Sequence, residues 1–155
     1  MILPNGGVGV GPDHAERLIH SYRRLTGNEL LPGPESSGSL TERLFLSPIV
    51  VLSHGTEDDP VLNYGNQAAL NLWEMDWETF TRTPSRYTAE EMERTQRVQL
   101  LKKVQEQGYA DDYTGIRISR SGRRFYIKKA TVWNITDEDG RYAGQAACFS
   151  EFEYC

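Results

Sequence analysis

Four apolar residues in a row, Ile49-Val50-Val51-Leu52, interrupt an otherwise patterned sequence. They predict a strand buried on both faces and therefore central in its sheet. Gly55 to Pro60 (GTEDDP) is turn chemistry, and Val61 to Tyr64 reads as a short second strand. Asn66 then stands where a helix must begin, with a side chain able to accept from the first unpaired backbone amides. Ala68, Ala69, Leu72 and Trp73 form that helix's buried side. Asp76, Trp77 and Phe80 make a further half-turn, which Pro84-Ser85 breaks.

Upstream, Asp13 and Glu16 predict a capping box, followed by an apolar stripe of Leu18, Ile19, Tyr22 and Leu25 and a stop at Gly27. The stripe must pack on the core or on a second copy of the chain. Gly6 to Gly11 (GGVGVG) lacks the spacing of a phosphate-binding loop and follows no strand, so residues 1–12 read as a flexible tail. Pro32 to Ser39 reads as a linker, after which Ser39 and Glu42 cap a short helical turn carrying Leu44, Phe45 and Leu46. The organisation is thus a tail (1–12), an N-terminal helix and linker (13–39) and a main domain (40–155).

Downstream, Thr88 and Glu91 predict a third capping box, opening a helix that ends at Gln107-Gly108 with Met92, Val98, Leu101 and Val104 inward. The remainder is a meander of strands: Tyr113 to Ser119, a turn at Ser121-Gly122, Arg123 to Trp133, a turn at Asp137 to Gly140, and Arg141 to Phe152. Helices followed by an antiparallel meander make the class α+β.

Composition narrows the setting. A chain of 155 residues with 38% hydrophobic residues can bury its own core without metal or disulfide. A net charge of −5 argues against general affinity for nucleic acid or anionic membranes. The N-terminal MILPNGGVGV carries neither a basic residue nor a sustained apolar run, and no stretch reaches the length of a membrane span. With only Cys148 and Cys155, two unpaired thiols and a cytoplasmic location are expected.

The order strand, turn, strand, Asn-initiated helix, short helices and three-stranded meander resembles the PAS domain. The blocks VVLSHGTEDDPVLNYGNQAALNLW, PSRYTAEE, GYADDYTGIRISRSGRRFYIKKATVWNITDEDG and GQAACFS resemble the MEKHLA family. That family is a PAS-related group found as stand-alone bacterial proteins and at the C-terminus of plant homeodomain–leucine-zipper factors. The resemblance implies a PAS-like fold: a five-stranded antiparallel sheet, order 2-1-5-4-3, covered by helices on one face, here with an extra N-terminal helix. It implies a sensing role and little chemistry; the expectation is a sensory or interaction module without catalytic residues.

In such a fold a ligand lies between the inner sheet face and the helices, so contacts follow from strand parity. Gln145 shares a face with Ala143, Ala147 and Phe149. Its amide both donates and accepts, and the small residues around it leave room either for a ligand or for Trp73 and Trp133. Flavin-binding PAS relatives bond the flavin through a glutamine on the last strand, but the cysteine motif of that photochemistry is absent, since no cysteine precedes Cys148. The ligand-contact set is Asn66, Trp73, Tyr113, Arg117, Trp133 and Gln145; Asn66 is also a helix cap, and a buried Arg117 would need a carboxylate partner. The cofactor is left open.

Other chemistries fit poorly. His14 and His20 fall on different sides of a helix, and the long helix has no histidine for haem. Asp137 to Gly140 fails as a calcium loop, with Ile135 and Ala146 at ligand positions. Ser53 and His54 point to opposite faces of a strand, and no metal site is expected. Two rival readings stand beside the sensory one. One is a small enzyme on a cone-like α+β scaffold. The other is binding of nucleic acid or an acidic partner by the basic hairpin 117–129, which carries Arg117, Arg120, Arg123, Arg124, Lys128 and Lys129 without an acid. Signalling would shift the N-terminal helix and so an interface, with homodimerisation through Leu18 and Tyr22 as the expected association and the partner protein unknown.

Overall fold

The computed structural model describes residues 8–31, 39–88 and 94–155. The elements are α1 (Pro12–Thr26), α2 (Leu40–Phe45), β1 (Val50–His54), β2 (Leu62–Gly65), α3 (Gln67–Trp73), α4 (Trp77–Phe80), α5 (Arg94–Gln107), β3 (Tyr109–Ile118), β4 (Arg124–Thr136), β5 (Tyr142–Phe149) and β6 (Glu151–Tyr154). The sheet is antiparallel with the expected order β2-β1-β5-β4-β3. The last strand departs from expectation: it bends at Ser150, and its continuation β6 pairs with Phe125 to Lys128 of β4. β1 lies between β2 and β5 and is buried along Val50 to Ser53, which is why its apolar run is unbroken.

Local signals set several boundaries. Ser39 and Glu42 form a reciprocal capping box on α2, Asn66 caps α3 through the Ala69 amide, and Asp76 caps α4 through the Thr79 amide. The cap of α1 differs from expectation. Gly11 occupies the N-cap without a side-chain bond and Pro12 begins the helix, placing Asp13 in the first turn. Within the expected tail, Val8–Val10 form a 3-10 turn in contact with β2. The Thr88–Glu91 cap falls partly outside the described residues, as does Met92; Thr88 ends a second 3-10 turn, Ser85–Thr88, with its hydroxyl donating to the Ser85 carbonyl. In α5, Val104 is buried, but Val98 and Leu101 are exposed; Leu100 takes the inward place instead.

The sheet carries helices on both faces. α3, α5 and the Ser85–Thr88 turn cover one, while α1 covers the other and rests on β4. Its apolar stripe is covered there: Leu18 and Ile19 are buried, and Tyr22 stands edge-on to Trp133 with ring centroids 5.0 Å apart.

Two bulges decide which side chains face which helices. Lys129 adopts a left-handed conformation (φ 52°), at the shift in the β3–β4 register between Tyr113 and Gly115. Phe125 and Ile127 therefore share a face with Val132 beyond the bulge, and Thr131, Trp133 and Ile135 turn to the opposite face. A second irregularity sets Tyr142 rather than Ala143 opposite Thr136. There Gly144 (φ 134°) approaches β1 so closely that a Cβ would sit 2.2 Å from the His54 carbonyl oxygen.

Candidate functional site

Between the inner sheet face and α3, α5 and the Ser85–Thr88 turn lies a cavity of about 110 Å³. Its floor comes from alternate residues of neighbouring strands, Leu52 on β1, Val132 on β4, and Gln145 and Ala147 on β5. Trp73 forms one wall, held by an indole N–H bond to the Thr88 carbonyl at 3.1 Å and by edge contacts with Phe80, Phe125 and Phe149. Of the six ligand contacts expected from sequence, Trp73, Tyr113, Arg117 and Gln145 meet here.

Arg117 is the unusual member. Its guanidinium carbon lies 5.2 Å from the centre of the Tyr113 ring, within cation–π range. Among the described residues no carboxylate pairs with it. Burial lowers its pKa from the ordinary guanidinium value, and the Tyr113 side chain offsets part of that. The side chain keeps some solvent contact at the cavity mouth but is surrounded by protein, so a cation sits here without an anion. Gly115 makes the arrangement possible, because a Cβ at that position would lie 2.3 Å from the Tyr113 hydroxyl. Gln145 uses one amide proton on a long bond to Asn134 Oδ1, 3.4 Å.

Asn66 and Trp133 lie elsewhere. Asn66 is fully buried and joins three elements: Oδ1 accepts from Val51 N and Ala69 N at 3.1 Å, and Nδ2 donates to Ile49 O at 2.7 Å and Leu44 O at 3.2 Å. All its capacity is used on backbone, leaving nothing for a ligand. Trp133 is on the α1 side, its indole N–H donating to Ser21 Oγ at 3.0 Å. Strand parity counted without the Lys129 bulge would turn it toward the cavity.

His54 also lines the cavity, its Nδ1 donating to the Gly55 carbonyl at 2.9 Å. Sequence reasoning passed over it, although alternation along β1 places Leu52 and His54 on one face.

On the opposite face His14 of α1 reaches β1, with Nε2 3.0 Å from Ser53 Oγ, which donates to Asn63 Oδ1 at 2.5 Å. Burial, with a smaller contribution from Arg17, lowers its pKa to about 4. Cys148 and Cys155 form no disulfide. Cys148 is on this face too, and burial raises its thiol to about 11, which leaves it unreactive.

The basic hairpin is less basic in three dimensions than in sequence. Lys128 pairs with Glu153 at 2.9 Å, Lys129 approaches Glu151 at 3.9 Å, and Arg123 lies over the Tyr154 ring at 3.4 Å. The acids arrive on β6, far along the chain, and with Arg117 turned to the cavity the continuous cationic face is lost. Among the described residues no group of three His, Cys, Asp or Glu side chains is placed to hold a metal ion, and no helix is long and apolar enough to cross a membrane.

Known proteins share this architecture. The model of the MEKHLA domain family matches residues 12–154. Among curated proteins, the rice (Oryza sativa subsp. japonica) homeobox-leucine zipper protein HOX9 is 25% identical over 144 residues, covering 92% of this chain and 17% of that protein. ATHB-9 of Arabidopsis thaliana, also a homeobox-leucine zipper protein, is 28% identical over 127 residues, covering 79% of this chain and 15% of that protein. The chain thus spans less than a fifth of these relatives' length. Among solved structures, the PAS domain of a protein from Colwellia psychrerythraea superposes with a TM-score of 0.59 at 11% identity, covering 74% of this chain and 92% of that one. The light-state dimer of the fungal blue-light photoreceptor Vivid gives 0.58 at 14% identity, covering 96% of this chain and 97% of that one. This chain belongs to the MEKHLA domain family and has the PAS fold.

Proposed function

We propose that this domain is a non-catalytic, cytoplasmic sensing module in which a small molecule occupies the cavity and the change is passed through the sheet to α1 and from there to a partner. The observation that carries this reading is that the strands lining the cavity also hold α1 on their reverse side. Val132 borders the cavity and its neighbour Trp133 bonds Ser21; Leu52 borders it and its neighbour Ser53 bonds His14. A ligand that moves β1 or β4 therefore moves the anchors of α1 directly, which couples occupancy to the helix. Trp73, Tyr113, Arg117 and Gln145 are the proposed ligand contacts.

The enzymatic alternative is weaker, because among the described residues the lining offers His54 but no carboxylate to work with it as an acid–base pair. Self-association through the N-terminal helix belongs to this reading only in a released form. Leu18 and Tyr22 are covered by β4, so a second copy could use them only after α1 leaves the sheet. Vivid, matched over nearly the whole chain, is described as a light-state dimer, which makes association on signalling a reasonable counterpart here.

Native mass spectrometry on protein purified directly from its source cells, compared with the denatured mass, tests the proposal. A discrete excess mass lost on denaturation, with slower amide exchange in α1 when the ligand is restored, is the expected result. No excess mass, and α1 exchange indifferent to every compound found to bind, would overturn it in favour of a purely protein-contacting module.

A further inference from the structure

Arg117 and the size of the cavity together specify a ligand class. Among the described residues Arg117 faces the Tyr113 ring at 5.2 Å and no carboxylate; a largely desolvated guanidinium without an anion is unfavourable, the situation left when one partner of a buried ion pair is removed. The opposite charge must be small, because the cavity measures about 110 Å³, whereas an apolar cavity known to accept benzene measures roughly 150 Å³. The anion must also be singly charged, since a phosphate dianion would leave one buried charge unmatched against a single guanidinium. Leu52, Val132, Ala147 and Leu100 form an apolar part of the lining, so a bare inorganic ion would leave these surfaces without a partner.

We infer that the cavity binds a short-chain monocarboxylate of about four to six non-hydrogen atoms, its carboxylate paired with Arg117 and assisted by the Gln145 amide, its aliphatic end against Val132 and Ala147. This rests on the reading of the cavity as a ligand site. The planar guanidinium fork presents parallel donors that match a carboxylate, which a lysine at this position would not. Gln145 has an amide proton free beyond its long bond to Asn134.

The test is calorimetric titration with acetate, propionate and butyrate, each compared with its neutral amide, on the wild type and on Arg117→Met. The acids are expected to bind saturably and the amides about 10- to 100-fold more weakly, the range for a lost charge-assisted hydrogen bond. Arg117→Met should bind the acids as weakly as wild type binds the amides. Without ligand it should melt at or above the wild-type temperature, because it removes a largely desolvated charge that no carboxylate among the described residues pairs, and that melting curve shows that the variant folds. Equal binding of acids and amides, or acid affinity retained by a folded Arg117→Met, would overturn the carboxylate pairing while leaving small-molecule sensing intact. A co-purified ligand larger than the cavity would overturn the size assignment in the same way. Binding of neither series, with no co-purified mass, would remove the sensing reading itself.

Discussion

The indole N–H of Trp133 donates to the Ser21 hydroxyl at 3.0 Å, tying β4 to a helix 112 positions earlier in the chain. The same hydroxyl donates to the Arg17 carbonyl at 2.6 Å, so the bond is anchored on both sides. Ser21→Ala leaves the buried indole without a partner and should cost about 1–3 kcal/mol. Urea denaturation should record that loss, and amide exchange in α1 should accelerate more than in β1. Unchanged stability would mean that the bond does not hold the helix.

Lys129 is a non-glycine residue in the left-handed region, a conformation costing roughly 1–2 kcal/mol. Lys129→Gly should therefore raise the unfolding midpoint by the equivalent of about 1 kcal/mol. The lost approach to Glu151 at 3.9 Å is between exposed side chains and offsets little. Deleting Lys129 outright should be severely destabilising, because it returns Trp133 to the wrong face. Near-ultraviolet circular dichroism should show the loss of ordered tryptophan packing in that deletion.

Asn66→Ala removes bonds to backbone groups in α2, α3 and the strand β1 with its approach, and should cost about 3 kcal/mol or more. Asn66→Asp separates the two halves of the role. It retains the oxygen that accepts from Val51 and Ala69 but sets a second oxygen against the carbonyls of Leu44 and Ile49. Thermal melts should find the aspartate variant nearly as destabilised as the alanine one; a near wild-type aspartate variant would mean that only the cap matters.

His14 sets a pH dependence. Its pKa falls from 6.5 in the unfolded chain to about 4 in the fold, so the unfolded state binds more protons between those values. Stability is then complete above about pH 6.5 and declines as pH falls toward 4, by up to about 3 kcal/mol. The carboxyls of Glu74, Asp76 and Glu138 are held below their ordinary values and act only at lower pH. Urea midpoints at pH 7, 6 and 5 should fall for wild type and stay level for His14→Gln.

Tyr64 is buried beside His14 and Trp77, and its hydroxyl finds no hydrogen-bond partner among the described residues. Burial of that hydroxyl raises its pKa above the ordinary tyrosine value. Tyr64→Phe keeps the ring contacts and removes the unpaired group, so stability should be unchanged or higher by about 1 kcal/mol. A substantial drop in melting temperature would show that the hydroxyl has a partner in solution, such as an ordered water.

Features that depend on a few neighbouring residues were legible before the fold was known. The Ser39–Glu42 box and the Asn66 cap need only the amides two or three positions on, and the apolar run of β1 reports burial on both faces at once. The resemblance to the MEKHLA family carried the strand order, which the antiparallel pairing bears out. Gln145 followed from parity on β5, because alternation is a property of the strand itself.

What the sequence could not decide depends on groups far apart along the chain. One extra residue at Lys129 reverses the parity of β4 beyond it, and no local pattern marks a lysine as a bulge; Trp133 changes face and becomes the anchor of α1. The apolar stripe of α1 specifies that it must be covered, while only the packed sheet decides that β4 covers it rather than a second chain. Two lysines of the basic hairpin meet acids that β6 brings back from the end of the chain. Arg117 becomes a desolvated cation only when the helices close over the inner face of the sheet. Short-range propensity and periodicity therefore determined the elements and their order, and the long-range contacts that exclude water determined which side chains hold the structure and which face the cavity.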